Sequence, residues 1–132
     1  MSRTIGLFTM LVLGTFWTRL FSQASAAGEI TPQVVLEKIK SEAPVLIVDV
    51  RTAQEFNGES GRIPCAILVP LQDIETKPDV LAKYKEKEII TVCRSGRRSL
   101  SAANILAARG FNVKSMSGGM NEWNRLKYPV KK

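Results

Sequence analysis

Glu88-Ile89-Ile90-Thr91-Val92-Cys93-Arg94-Ser95-Gly96-Arg97-Arg98-Ser99-Leu100 is the stretch on which the reading of this chain turns. Its first five residues are an apolar, β-branched run of the kind buried strands use. A short loop led by a cysteine follows, and from Ser99 the spacing becomes helical. A thiol at a strand's end, ahead of a helix, lies in the positive partial charge of loop amides and the helix N-terminus. Such surroundings lower a cysteine pKa from about 8.5 into the range of about 3.5–7.5. Gly96 lets the loop curl so that several amides point inward as an anion nest. Cys93 is therefore the candidate nucleophile, and Arg94, Ser95, Gly96, Arg97, Arg98 and Ser99 are the candidate binding residues. The arginines bring charge, and Ser95 and Ser99 bring hydroxyl donors, although Ser99 equally suits a helix cap. The competing reading is a buried structural cysteine before a basic turn.

Upstream, Val45-Leu46-Ile47-Val48-Asp49-Val50 is nearly all apolar, as in a strand covered on both faces of a parallel sheet. Asp49 and Arg51 stand out at its end. They read either as a structural ion pair or as support for an active site at the sheet's carboxyl edge, where open α/β sheets bind ligands. Between the two strands, 52–57 reads as a short helix carrying Phe56 inward. Residues 63–70, bounded by prolines, hold a further strand. Turns of helix follow at 71–74 and 78–84. Ahead of them, Thr31-Pro32 starts a helix over Val35, Leu36 and Ile39. Downstream, Leu100, Ala103, Leu106 and Ala107 share a helical face that stops at Arg109-Gly110. Residues 111–116 form the last strand, and 120–126 a final helix with Trp123 buried. Alternating strands and helices define an α/β domain with a parallel sheet.

The first 26 residues have a different character. Arg3, the apolar run Ile5 to Trp17 and Ala24-Ser25-Ala26 follow the order of a secretory signal, with cleavage expected after Ala26. That implies an exported, periplasmic protein with no membrane span left after cleavage. The alternative is an N-terminal membrane anchor, although the run is short of the roughly 20 apolar residues a span needs. The 132-residue chain carries 19 basic and 12 acidic residues; loss of Arg3 and Arg19 leaves 17 basic residues and a net charge of +5. This modest excess comes without the basic stripe and interleaved aromatics of a nucleic-acid binder, and favours a small anionic substrate. Lys131-Lys132 reads as a tail. There is no histidine, which excludes Ser-His-Asp and Cys-His catalysis and most zinc sites. No cofactor or metal motif is present, nor one for an oligomer interface, so a monomer is expected.

A phosphatase loop of the Cys-x5-Arg form would place arginine six residues after the cysteine. Here that position is Ser99, and Arg98 falls one short, which disfavours phosphate esters. The chain instead resembles the single-domain rhodanese family of sulfurtransferases over about residues 28–130. The markers are Asp49-Val50-Arg51, Glu55-Phe56, Gly61-Arg62-Ile63-Pro64-Cys65-Ala66, Val92 to Ser99, Gly110-Phe111, Gly118-Gly119-Met120 and Trp123. The resemblance implies a rhodanese-like α/β fold, with a central parallel five-stranded sheet flanked by helices on both faces. It also implies that Cys93 takes sulfur from a small anionic donor such as thiosulfate. The resulting persulfide would pass sulfur to a thiophilic acceptor, either cyanide or a small-molecule or protein thiol. A persulfide carrier without turnover, or a rhodanese-like binding module, is the alternative, ahead of a phosphatase or arsenate reductase. Two positions depart from the family pattern: Arg62 and Cys65 replace its histidine and glycine. Cys65 reads as a buried small residue, or else as a resolving thiol or disulfide partner for Cys93.

Overall fold

The computed structural model describes residues 27–132, so the expected signal segment lies outside the described residues. Five parallel strands form one sheet: β1 (Gly28–Ile30), β2 (Val45–Asp49), β3 (Ile67–Leu68), β4 (Glu88–Val92) and β5 (Val113–Met116). Their spatial order is β1-β5-β4-β2-β3, which puts the strand that ends at Cys93 in the middle. Val45 to Asp49 pair in register with Glu88 to Val92, and Thr91 pairs with Ser115. The helices are α1 (Pro32–Lys40), α2 (Ala53–Phe56), α3 (Leu71–Thr76), α4 (Arg97–Ala108) and α5 (Gly119–Arg125), with a 3-10 helix at Pro78–Tyr84. Among the described residues no helix is long and apolar enough to cross a membrane.

Both faces of the sheet are covered, as its near-continuous apolar strands require. Side chains alternate along a strand. Leu46, Val48, Ile89 and Cys93 therefore join Ala102, Ala103 and Leu106 of α4 and Ile74 of α3 in one buried cluster. Ile47, Ile90 and Val92 join Val35 of α1 and Met120 and Trp123 of α5 in the other. Local chemistry fixes the helix starts. Thr31 caps α1 through the Val34 amide, with Pro32 at the first helical position. Thr52 and Glu55 form a reciprocal capping box on α2.

Three sequence expectations change, and one strand is added. The expected 63–70 strand contracts to Ile67–Leu68, because Ile63 to Ala66 form a turn closed by the Ala66 amide on the Ile63 carbonyl. Strand β1, on which sequence spacing alone was silent, pairs with β5 at the sheet's edge. Phe56 is only half-buried and lies beneath the Arg62 guanidinium, 4.5 Å from its ring centre. Lys131 is not a free tail: it pairs with Arg62 through two main-chain bonds of 2.9 and 2.8 Å, anchoring the C-terminal strap.

Candidate active site

Cys93 leaves the middle strand at the sheet's carboxyl edge and is buried. The turn after it depends on Gly96, whose φ of 104° is a left-handed value that a side chain strains to adopt. That turn makes Gly96 the N-cap of α4, so the helix begins at Arg97, two residues before the expected Ser99. It also swings the Gly96 amide back onto Cys93 Sγ at 3.0 Å. Ser99 consequently sits inside the first turn rather than capping it. Its hydroxyl lies 3.4 Å from Sγ, 3.1 Å from the Gly96 carbonyl and 2.8 Å from Ser115 Oγ. Burial alone pushes the Cys93 thiol up, but hydrogen bonds from the Ser99 hydroxyl and the Ser99, Gly96 and Ser95 amides outweigh it, and the net shift is downward. The thiol is held ready to ionise without any histidine.

The three arginines do not crowd the sulfur together. Arg98 is clamped by Glu55 of α2 through two bonds, 2.7 and 2.8 Å. That bond to Arg98 is the main reason the Glu55 carboxyl is held down to about 2. Arg94 and Arg97 are exposed, and neither side chain has a hydrogen-bond or ion-pair partner among the described residues. Ser95 is also exposed. Asp49 and Arg51 form a fully buried pair with Nη2–Oδ2 2.8 Å. Arg51 goes on to donate to Ser60 Oγ and to the Gly61 carbonyl. Its fork is thus used up in tying β2 to the 60–61 turn, which agrees with the structural reading of this pair.

Several contributors were not evident from the sequence. Ser115 and Thr91 are buried beside Ser99, Thr91 donating to the Ser99 carbonyl at 2.7 Å. The alternation Ile89-Thr91-Cys93 beside Val113-Ser115 carries the signal, since it puts three polar atoms on one apolar face. Gly119, at the start of α5, packs so closely that a Cβ there would collide with the Cys93 and Arg94 carbonyl oxygens. Those two carbonyls accept the Met120 and Asn121 amides at 2.8 and 3.0 Å.

Cys65 is exposed, which corrects the expectation of a buried small residue. The turn that shortens β3 carries it outward, to the wall of a cavity of about 180 Å³ that Leu36, Ile39, Ile63 and Trp123 also line. Partial burial there pushes its thiol up. Ile63 and Trp123 belong to the cluster on the opposite sheet face from Cys93. Ile67 is level with Val48, and Val48 with Thr91. Cys93 lies beyond Thr91 toward the sheet's carboxyl edge while Cys65 precedes Ile67, and two strand spacings, roughly 10 Å, separate them across the sheet. A disulfide needs Cα atoms within about 7 Å, so the two thiols of one molecule do not meet in this fold. Among the described residues no group of three His, Cys, Asp or Glu side chains gathers to hold a metal.

Fold and site together define an α/β domain whose middle strand delivers a thiol into a nest of amides on a five-stranded parallel sheet. Residues 31–126 match the rhodanese-like domain model. The thiosulfate sulfurtransferase GlpE of Pseudomonas savastanoi is 38% identical over 90 residues, covering 67% of this chain and 79% of that one. A sulfurtransferase of Allochromatium vinosum is 30% identical over 104 residues, covering 78% of this chain and 94% of its own. Among solved structures, a rhodanese-like domain protein from Staphylococcus aureus superposes with a TM-score of 0.66 at 34% identity, over 80% of this chain and 99% of that one. The chain belongs to the rhodanese-like family.

Proposed function

We propose that the protein is a sulfurtransferase that carries sulfane sulfur as a persulfide on Cys93, with thiosulfate or a similar anion as donor. The observation carrying this reading is the buried Cys93 sulfur held by the Gly96 amide and the Ser99 hydroxyl. In the first half-reaction the thiolate attacks the outer sulfur of the donor. The donor's S–S bond breaks, and sulfite leaves with the electron pair. In the second, a thiophilic acceptor attacks the terminal sulfur, and Cys93 departs as thiolate. Neither step needs a proton at sulfur, which suits a site without histidine. The amides of Ser95, Gly96 and Ser99 and the Ser99 hydroxyl stabilise negative charge first on Sγ and then on the persulfide. Arg94 and Arg97, free of carboxylate partners, draw in the dianionic donor, while Arg98 is committed to Glu55 and shapes the site's wall. The Cys-x5-Ser spacing favours this reading over phosphate-ester hydrolysis.

The test is incubation with thiosulfate followed by intact-mass measurement. A gain of one sulfur that is lost on adding cyanide and absent in Cys93→Ser supports the assignment; full transfer activity in Cys93→Ser overturns it. Catalytic turnover with excess acceptor marks an enzyme, whereas a single stoichiometric loading marks a carrier. Placement outside the cytoplasm rests on residues 1–26 and is tested by N-terminal sequencing of the exported protein. A mature chain that retains Met1 or Ser2 would overturn cleavage.

A further inference from the structure

We infer that Ser115 is a positioning residue for the sulfur site, acting on Cys93 through Ser99 as the outer donor of a two-hydroxyl chain. Ser115 lies on β5, level with Thr91, and is completely buried, as is Ser99. Among the described residues the sole hydrogen-bond partner of the Ser115 hydroxyl is Ser99 Oγ, at 2.8 Å. Its single proton therefore has one acceptor.

Proton counting then fixes the direction of the chain. Ser99 Oγ has one proton and two lone pairs. When Cys93 is a thiol, Ser99 accepts from Sγ and from Ser115, and donates to the Gly96 carbonyl at 3.1 Å. That carbonyl already receives the Leu100 amide, so it does not depend on Ser99. When Cys93 ionises, the Ser99 proton turns to the thiolate, one lone pair is released, and Ser115 continues to donate to the other. A hydroxyl that accepts a hydrogen bond is a better donor, so Ser115 strengthens the Ser99 bond to whichever anionic sulfur is present. It also fixes the position of Ser99 Oγ, which among the described residues no side chain other than Cys93 and Ser115 contacts by hydrogen bonding. The chain rests on the sulfur-transfer reading for its consequence in turnover, but its effect on Cys93 can be read without any sulfur donor.

The charged groups on the elements around Cys93 are Arg94, Arg97 and Arg98 with its partner Glu55, the Asp49–Arg51 pair, the Glu122–Arg125 pair on α5, Lys114 on β5 and, at the far end of β4, Glu88 with Lys38. Substitution at Ser115 alters none of them, so a pH shift there reports the hydroxyl.

The experiment measures iodoacetamide alkylation of Cys93 against pH in the Cys65→Ser background, so that one thiol reports. Ser115→Ala should move the inflection upward, lowering the rate about 3-fold at pH values below the parent's inflection. The high-pH plateau, where every Cys93 is thiolate, should be unchanged. Ser115→Thr and Ser115→Val carry the same added bulk and differ in the hydroxyl. The Thr variant should titrate like the parent and the Val variant like Ser115→Ala, which keeps the comparison decisive if Ser115→Ala folds poorly. Coincident Thr and Val profiles, or an Ala profile superimposed on the parent's, would overturn the inference. Failure of thiosulfate loading with these shifts intact would instead count against the sulfur-transfer reading alone.

Discussion

Replacing Arg51 by methionine should be among the most damaging single changes outside the cysteine loop, for a reason visible in the bonds it removes. Arg51 gives Asp49 three side-chain hydrogen bonds, at 2.9, 3.1 and 2.8 Å, and bonds Ser60 Oγ and the Gly61 carbonyl at 3.1 and 2.9 Å. Exposure of Asp49 is 0% and of Arg51 1%, so no water takes the guanidinium's place. Arg51→Met leaves Asp49 with one backbone amide, that of residue 51 itself, at 3.1 Å. Breaking a buried pair in this way costs about 3–5 kcal/mol. For a domain of this size that is a melting-point loss of roughly 15–25 °C. The second change, Asp49→Asn, removes the stranded charge and keeps an oxygen for the amide. The double variant should then lie about 1–2 kcal/mol below the parent, the remaining deficit being the Gly61 carbonyl that has lost its donor. Urea denaturation of parent, both singles and the double variant closes the cycle. The reasoning is refuted if Arg51→Met lies within about 1 kcal/mol of the parent, or if adding Asp49→Asn deepens the loss. Because the pair's bonds point into the 60–61 turn, the folded double variant should also retain its Cys93 alkylation profile.

Three further outcomes follow from the site. Alkylation of Cys93 in the folded protein should inflect at lower pH than in the urea-unfolded chain, since the folded thiol is shifted down; coincident inflections would contradict the hydrogen-bond geometry. Glu55→Gln should cost under about 1 kcal/mol at neutral pH, because the partly exposed Arg98 pair is screened by solvent. With its carboxyl held at about 2 against an ordinary 4.5, Glu55 contributes stability that is full above pH 4.5 and lost as pH falls toward 2. Acid titration of the Gln variant should lack that part of the decline. Gly119→Ala must adopt a left-handed φ of 55° and push against two carbonyl oxygens. It should lose at least about 1–2 kcal/mol from the backbone conformation alone, and its Cys93 should alkylate more slowly than a thermal melt of the variant would account for.

What the sequence reveals and conceals has physical reasons. Strands β2 and β4 are legible because each is dominated by apolar, β-branched residues with both faces covered. Strand β1 is not: Gly28-Glu29-Ile30 shows no periodicity, and only pairing with β5 makes it a strand. The apolar run from Ile63 conceals a turn, since hydropathy does not separate a buried strand from a proline-bounded reversal, and Cys65 is thereby misplaced. Within the site, Cys93 and its loop are local and readable. The Glu55–Arg98 clamp spans 43 positions and the Ser99–Ser115 contact 16, so both wait on the register of the sheet.

The two carbonyls that Met120 and Asn121 hold have a consequence for sulfur chemistry. A peptide unit is rigid and planar, with its oxygen and its hydrogen pointing opposite ways. Turning the Cys93 and Arg94 oxygens outward to α5 therefore turns the Arg94 and Ser95 hydrogens inward, toward the concavity where a terminal sulfur would sit. The final helix of the chain works as a clasp that fixes the polarity of a loop far upstream. A chain cut before Gly119 would keep Cys93 and the three arginines of its loop, yet lose what tells the loop which way to face.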